Sequence, residues 1–186
     1  PEEFRVGCQH YPTSAGCPTL QIFMADTLEN GAGYVSELHD ETKIRFILEK
    51  AYREASSDWE SDAHSECDRS CPDCIRTYSN RFIHHLLDWR LALDVTELLL
   101  GLSLDESRWL GKSANTAAHF RSICSLIEVE VKIEEVNGLV AIVGEDKAVI
   151  LSHPLWHTRE GLAQNQQIEA KLMLKATDST RQIEFA

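Results

Sequence analysis

Three cysteines within eight positions, Cys67-x3-Cys71-x2-Cys74 in the string Glu-Cys-Asp-Arg-Ser-Cys-Pro-Asp-Cys-Ile-Arg, constrain this chain more than any other feature. The two-residue gap holding Pro72 makes a tight turn that points two thiolates at one ion, about 2.3 Å from each. Six cysteines in a long chain with no secretion signal are a poor match for a small disulfide scaffold, so metal is the better reading. Structural zinc takes four ligands, and one is still to be supplied. His84, which follows Cys74 by nine intervening residues and is expected at the start of a helix, stands first, with His64 second. His85 and the remote Cys8, Cys17 and Cys124 are further candidates, although those three cysteines have no close-spaced partner and read as core thiols. A zinc ion with four protein ligands has no open position for water, so the site is read as structural. Without His84, water could take the fourth place and a hydrolytic metal would return to consideration.

The rest of the chain sets the scale around this cluster. At 186 residues, 43% hydrophobic and 26% charged, it fits one soluble domain with an appendage or two small domains. The longest apolar run, near Leu98 to Leu102, is far short of a membrane span, and no charged n-region with an apolar h-region opens the chain, so a cytoplasmic protein without membrane contact is expected. The first residues are Pro-Glu-Glu-Phe with no initiator Met, which reads as an internal or C-terminal segment of a longer polypeptide.

A formal net charge of -12 argues against coating nucleic acid by bulk electrostatics, since phosphate binding needs concentrated Lys and Arg. The distribution is uneven. Acidic residues crowd positions 37 to 68, whereas Arg76, Arg81 and Arg90 follow the cysteines with His84 and His85 against Asp88 alone. These arginines are the candidate nucleic-acid-binding residues, set against the plainer reading of solvated helix charges.

Ahead of the cluster, residues 20 to 26 read as a buried strand ending at Asp26, followed by a glycine turn at Gly31 and Gly33. From Tyr34 to Ala55 the apolar positions Ile44, Ile47, Leu48, Ala51, Tyr52 and Ala55 recur at helical spacing. After the cluster, Phe82, Leu86, Trp89, Leu93 and Leu100 form the apolar stripe of a second helix.

The order Asp26-Thr27-x3-Gly31-Ala32-Gly33-Tyr34, helix, Cys-x3-Cys-Pro-Asp-Cys, with Tyr78, Asn80, His84, Leu87 and Asp88 downstream, resembles the MrfA-like zinc-binding domain over about residues 20 to 100. That domain occurs at the C-terminal end of superfamily 2 DNA helicases and their partners, including phage-defence proteins of the DISARM type. Two departures stand out: three cysteines plus a histidine replace four cysteines, and Trp89-Arg90 stands where an Asp-Arg pair is expected. The resemblance implies a folded platform beside an ATP-dependent helicase core, acting in phage defence or DNA repair, that positions DNA or a partner while zinc ties two helices and a loop together.

No motor machinery lies in this segment. Gly111-Lys112-Ser113 resembles the end of a phosphate-binding loop, but Glu106 occupies the position of the required first glycine, so it reads as a helix-end or loop tripeptide. Further on, Ile127, Val129, Val131 and Ile133 alternate with charged residues, Asn137-Gly138 signals a type I′ hairpin, and 139 to 143 and 148 to 151 complete a three-stranded meander. A helix over about 159 to 176 is expected to pack on it. Glu130-Val131-Lys132 matches the Glu-x-Lys of some nucleases, but the acidic partner is out of order and a solvated strand face is favoured. His153-Pro154-Leu155-Trp156-His157 reads as core rather than a base-stacking site.

The expected fold class is therefore α+β: a zinc-stabilised domain over 1–112 and a small meander-plus-helix domain over 113–186. Two functions compete, a zinc-bearing accessory region of a DNA helicase and a protein-interaction module of a defence complex without direct DNA contact.

Overall fold

The computed structural model describes residues 4–12, 18–27, 33–105, 107–156 and 165–186. They form two compact units, the first from Pro1–Ser65 with Val95–Leu102 and the second from Glu66–Asp94 with Ser103–Ala186. Helices and strands are mixed through the chain, which makes the fold α+β as expected. No helix among the described residues is long and apolar enough to cross a membrane.

In the first unit, β1 (Phe4–Pro12) and β2 (Pro18–Asp26) pair antiparallel, with Val6 opposite Met24 and Gly7 opposite Phe23. The predicted strand ends at Asp26 as expected, but it is not buried. Ile22 is 56% and Phe23 43% exposed, because a two-stranded ribbon has no second layer of its own to bury them. Gly7 lets the Phe23 ring lie across its partner strand, since a Cβ there would fall 2.5 Å from Phe23 Cζ. Gly31 and Ala32 lie outside the described residues. Gly33, at φ 73°, takes the left-handed conformation that glycine tolerates and opens the short α1 (Tyr34–Glu37). Asp26 Oδ1 accepts from Val35 N at 3.4 Å, which joins the end of β2 to the first turn of α1.

The long helix expected from Tyr34 is interrupted after α1 and restarts as α2 (Glu41–Trp59). Asp40 dictates the restart: its carboxylate accepts from Thr42 N at 2.9 Å and satisfies one of the orphan amides of the first turn. In the same unit, Tyr52 donates to Glu97 Oε1 at 2.7 Å and Arg45 Nη2 donates to the Leu100 carbonyl at 2.8 Å, anchoring α2 to the end of α3 (Trp89–Leu100).

The second helix expected after the cysteines is also divided. Arg81–Leu86 is a 3-10 turn, Leu87 is extended (ψ 133°), and α3 begins only at Trp89. The predicted stripe splits accordingly: Phe82 and Leu86 are exposed, whereas Trp89, Leu93 and Leu100 are buried.

The second unit is built on a four-stranded sheet, β3 (Lys132–Val136), β4 (Leu139–Val143), β5 (Lys147–Leu151) and β6 (Gln182–Phe185), in that order. The predicted meander is present, and Asn137 (φ 53°) and Gly138 (φ 74°) form the type I′ geometry of its first turn. Its first strand starts later than the alternation suggests, because α4 (Ser107–Leu126) runs up to Leu126 and the chain turns at Glu128 with φ 57°. Gly111-Lys112-Ser113 and the boundary expected after residue 112 lie inside α4. α5 (Asn165–Thr177) carries the chain across to β6, which pairs parallel to β5, a connection that demands such a crossover. The start of the helix expected from 159 lies outside the described residues.

α5 and α4 cover opposite faces of this sheet. Ala170 and Leu174 pack with Leu139, Ala141, Val143, Ala148 and Ile150 on one side, and Ala117 packs with Val140 and Ile142 on the other. Every residue of β4 is buried, which is why Leu139-Val140-Ala141-Ile142-Val143 is a continuous apolar run rather than an alternating one.

A buried polar network joins α3 and α4 to the chain beyond β5, within the second unit. Asp94, fully buried, pairs with Arg108 Nη1 and accepts from Trp109 Nε1 at 2.8 Å and His153 Nε2 at 3.0 Å. His153 Nδ1 accepts from Leu155 N at 3.1 Å, which fixes a neutral imidazole protonated on Nε2. With both ring nitrogens committed, His153 is a core residue, as the sequence reading favoured. Trp156 is half-buried against the α5 side of the core, and His157 lies outside the described residues.

Candidate metal centre

His64 closes a 3-10 turn, Asp62–His64, that follows α2, and the cysteines come directly after it. One ligand atom each from His64, Cys67, Cys71 and Cys74 lies within 4.8 Å of the others. Among the described residues no other group of three or more His, Cys, Asp or Glu side chains converges in this way, the Glu130 region included.

The donor set fits zinc. A metal 2.3 Å from each sulfur at a tetrahedral angle sets neighbouring sulfurs about 3.8 Å apart, and Cys71 Sγ and Cys74 Sγ are 3.7 Å apart. Pro72 starts the turn that brings them there: Cys74 N and Arg76 N both donate to the Cys71 carbonyl, at 3.2 and 3.1 Å, and Cys71 N donates to Cys74 Sγ at 3.0 Å. His64 Nδ1 donates to the Trp59 carbonyl at 2.9 Å, leaving the lone pair on Nε2, the tautomer a metal-binding imidazole needs. Electrostatics point the same way. Burial, then the hydrogen bond with Cys71 and the charges of Cys74 and Cys71, pushes the Cys67 thiol up to about 12. Three converging thiolates are therefore mutually unfavourable until a cation compensates them.

His84 stands elsewhere. Its Nε2 lies 2.9 Å from Asn80 Oδ1 and 3.0 Å from the Thr77 carbonyl, so it closes the turn before the 3-10 segment rather than joining the cysteines. His64, the second candidate from sequence, takes the fourth position. The spacing His64-x2-Cys67 carries the signal for this: four donors in one continuous stretch of chain need no distant segment to fold back. Cys8 is exposed on the hairpin and Cys124 is buried in α4, both as free thiols, while Cys17 lies outside the described residues.

The cysteine loop is gripped by its backbone. Trp89 Nε1 donates to the Cys67 carbonyl at 3.2 Å, Trp89 N to Arg69 O at 2.9 Å, and Arg90 Nη1 to Asp68 O at 2.5 Å. Asp88, buried at the start of α3, draws Lys112 to 2.7 Å, with Arg90 at 3.5 Å and Arg69 at 3.9 Å. These residues carry no ligand atom, yet they hold the loop in the shape that makes a site. Sequence reasoning treated Trp89 as part of an apolar stripe and missed its indole N–H as a clamp.

Of the arginines proposed for nucleic acid, Arg76 donates to Ser70 Oγ at 2.9 Å, and Arg90 is only 14% exposed and stacks over Trp89 while holding Asp68 and Asp88. Arg81 is exposed, its guanidinium 4.2 Å from the Tyr78 ring centroid and 4.3 Å from that of Phe82.

A closed set of three thiols and an imidazole at the end of a helix defines a structural zinc site, and zinc is the cofactor of this chain. Residues 1–75 match the family model of the MrfA Zn-binding domain, a span that includes the β1–β2 hairpin, α2 and all four members of the cluster. The family likeness read from the motifs thus holds for that span, beginning earlier than expected and ending just after Cys74. No curated protein and no solved structure matches the chain.

Proposed function

We propose that this chain is a zinc-held accessory region of a larger ATP-dependent DNA helicase, positioning DNA or a partner beside the motor in phage defence or DNA repair. The observation that carries the reading is the match of residues 1–75 to the MrfA Zn-binding domain, with its four zinc donors in place. Zinc here supplies shape: it fixes the cysteine loop that Trp89, Arg90 and Lys112 hold by its carbonyls. The cation-bearing stretch after Cys74 is the DNA-facing part of this reading, with Arg81 the most available of Arg76, Arg81 and Arg90. Anisotropy of labelled DNA with the full chain, at low and physiological salt, tests it. Binding that weakens with salt and falls when Arg76 and Arg81 are changed to Glu supports it, and no binding at low salt overturns it.

A second reading has its own observation. α2 buries none of its 19 residues, and Phe46 and Ile47 are 63% and 47% exposed. A protein-interaction module would use this helix. DNA binding untouched by the arginine changes, with complex assembly lost in Phe46→Glu, favours it.

A further inference from the structure

Tyr78 and Phe82 are 81% and 75% exposed, while Trp89, in the same unit, is 7% exposed. Two rings this exposed and flanking one guanidinium offer a combined apolar and cationic surface to a stacking ligand. The turn that presents them is well braced. Asn80 Oδ1 accepts from Thr77 N at 2.8 Å, Asn80 Nδ2 donates to the Ile75 carbonyl at 2.7 Å, and His84 Nε2 contacts both Thr77 O and Asn80 Oδ1. The guanidinium of Arg81 lies over both rings, at 4.2 and 4.3 Å. The charge around them is selective. Between Ile75 and Leu87 the chain carries Arg76, Arg81, His84 and His85 and no acid, although its net charge is -12.

We propose that Tyr78, Arg81 and Phe82 form a preorganised stacking platform for unpaired nucleobases of a single-stranded nucleic acid. Bases stack on exposed aromatic faces whatever their sequence, and an adjacent guanidinium adds both a cation–π contact and a phosphate partner. Duplex offers no free base face, so the platform discriminates single strands from duplex. The histidine expected to bind zinc acquires a role here: His84 holds the Thr77–Asn80 turn that sets the two rings.

This inference rests on the reading of the chain as a DNA-positioning module, and the experiment separates the two. The full chain is titrated into fluorescein-labelled oligothymidylate of about 16 nucleotides, the upper end of site sizes for stacking grooves, and into oligouridylate and blunt duplex of the same length. Tyr78→Leu and Phe82→Leu remove the ring and keep an apolar side chain; Tyr78→Phe keeps the ring. Zinc content and circular dichroism check that each variant is folded. The expected result is a loss of about 5- to 100-fold in single-strand affinity for each Leu variant, none for Tyr78→Phe, and unchanged duplex binding. Preference between the thymidine and uridine oligomers tells DNA from RNA. Folded Leu variants that bind single strands as the parent does overturn the platform and leave the DNA reading standing. No binding of any oligonucleotide by the parent chain overturns both.

Discussion

Asp94→Ala is the most demanding test of how the second unit is held. The carboxylate is fully buried, the Arg108 side chain that pairs with it is 2% exposed, and so is the His153 side chain. Removing it strips a buried guanidinium of the carboxylate facing it and takes the acceptor from Trp109 Nε1 and His153 Nε2. Breaking a buried pair from one side costs about 3–5 kcal/mol, because the remaining charge stays desolvated. For a chain of this length that is a fall in Tm of roughly 6–20 °C. Urea unfolding of zinc-loaded protein, followed by tryptophan fluorescence, reads it directly, since Trp109 and Trp156 flank His153 at ring-centroid distances of 5.6 and 5.8 Å. Arg108→Ala and the double variant complete a cycle, and the pair is coupled if the double variant loses less than the sum of the singles. A loss below about 1 kcal/mol for Asp94→Ala, the range of solvent-exposed pairs, would refute the argument that this network is desolvated.

Three further outcomes follow from the geometry. Elemental analysis of purified protein is expected to give one zinc ion per chain, lost in His64→Ala and Cys71→Ser and retained in His84→Ala; retention in His64→Ala with loss in His84→Ala would reverse the ligand assignment. Trp89→Phe keeps an aromatic ring and removes the N–H held by the Cys67 carbonyl, so competition with a chelating dye is expected to show zinc affinity lower by about 10- to 100-fold, the effect of losing a contact that orients a ligand residue. Asp40 is held below its ordinary value of 3.8, first by the Thr42 amide, so its contribution is present above that value and is lost as pH falls through its lower folded value. Asp40→Ala is therefore expected to lower the thermal midpoint at neutral pH and to make no difference at strongly acidic pH. An equal effect of the change at both would argue against the cap.

What could be read along the chain is what local interactions decide. Cys67, Cys71 and Cys74 declare a metal by spacing alone, because a Pro-turn brings two sulfurs together without help from the rest of the molecule. β3 to β5 are legible for the same reason: an Asn-Gly turn and short apolar runs set a meander between neighbours in sequence. The MrfA likeness was legible because turn, helix and cysteines come in order within a single stretch.

Tertiary structure decided the rest. Leu87 turns extended because Asp88 and Trp89 are drawn to Lys112 and to the carbonyls of the cysteine loop, and this break takes His84 out of the helix on which its ligand role depended. α4 has only Ala117 and Cys124 buried, too thin a stripe to announce itself, and it is recognised by the sheet face it covers. β6 pairs in parallel with β5, Ile183 beside Ala148, a partnership no short-range pattern encodes. Asp94 and His153 are 59 residues apart in sequence, and no local pattern pairs them. Only the fold, by excluding water from both, turns them into one hydrogen-bonded network.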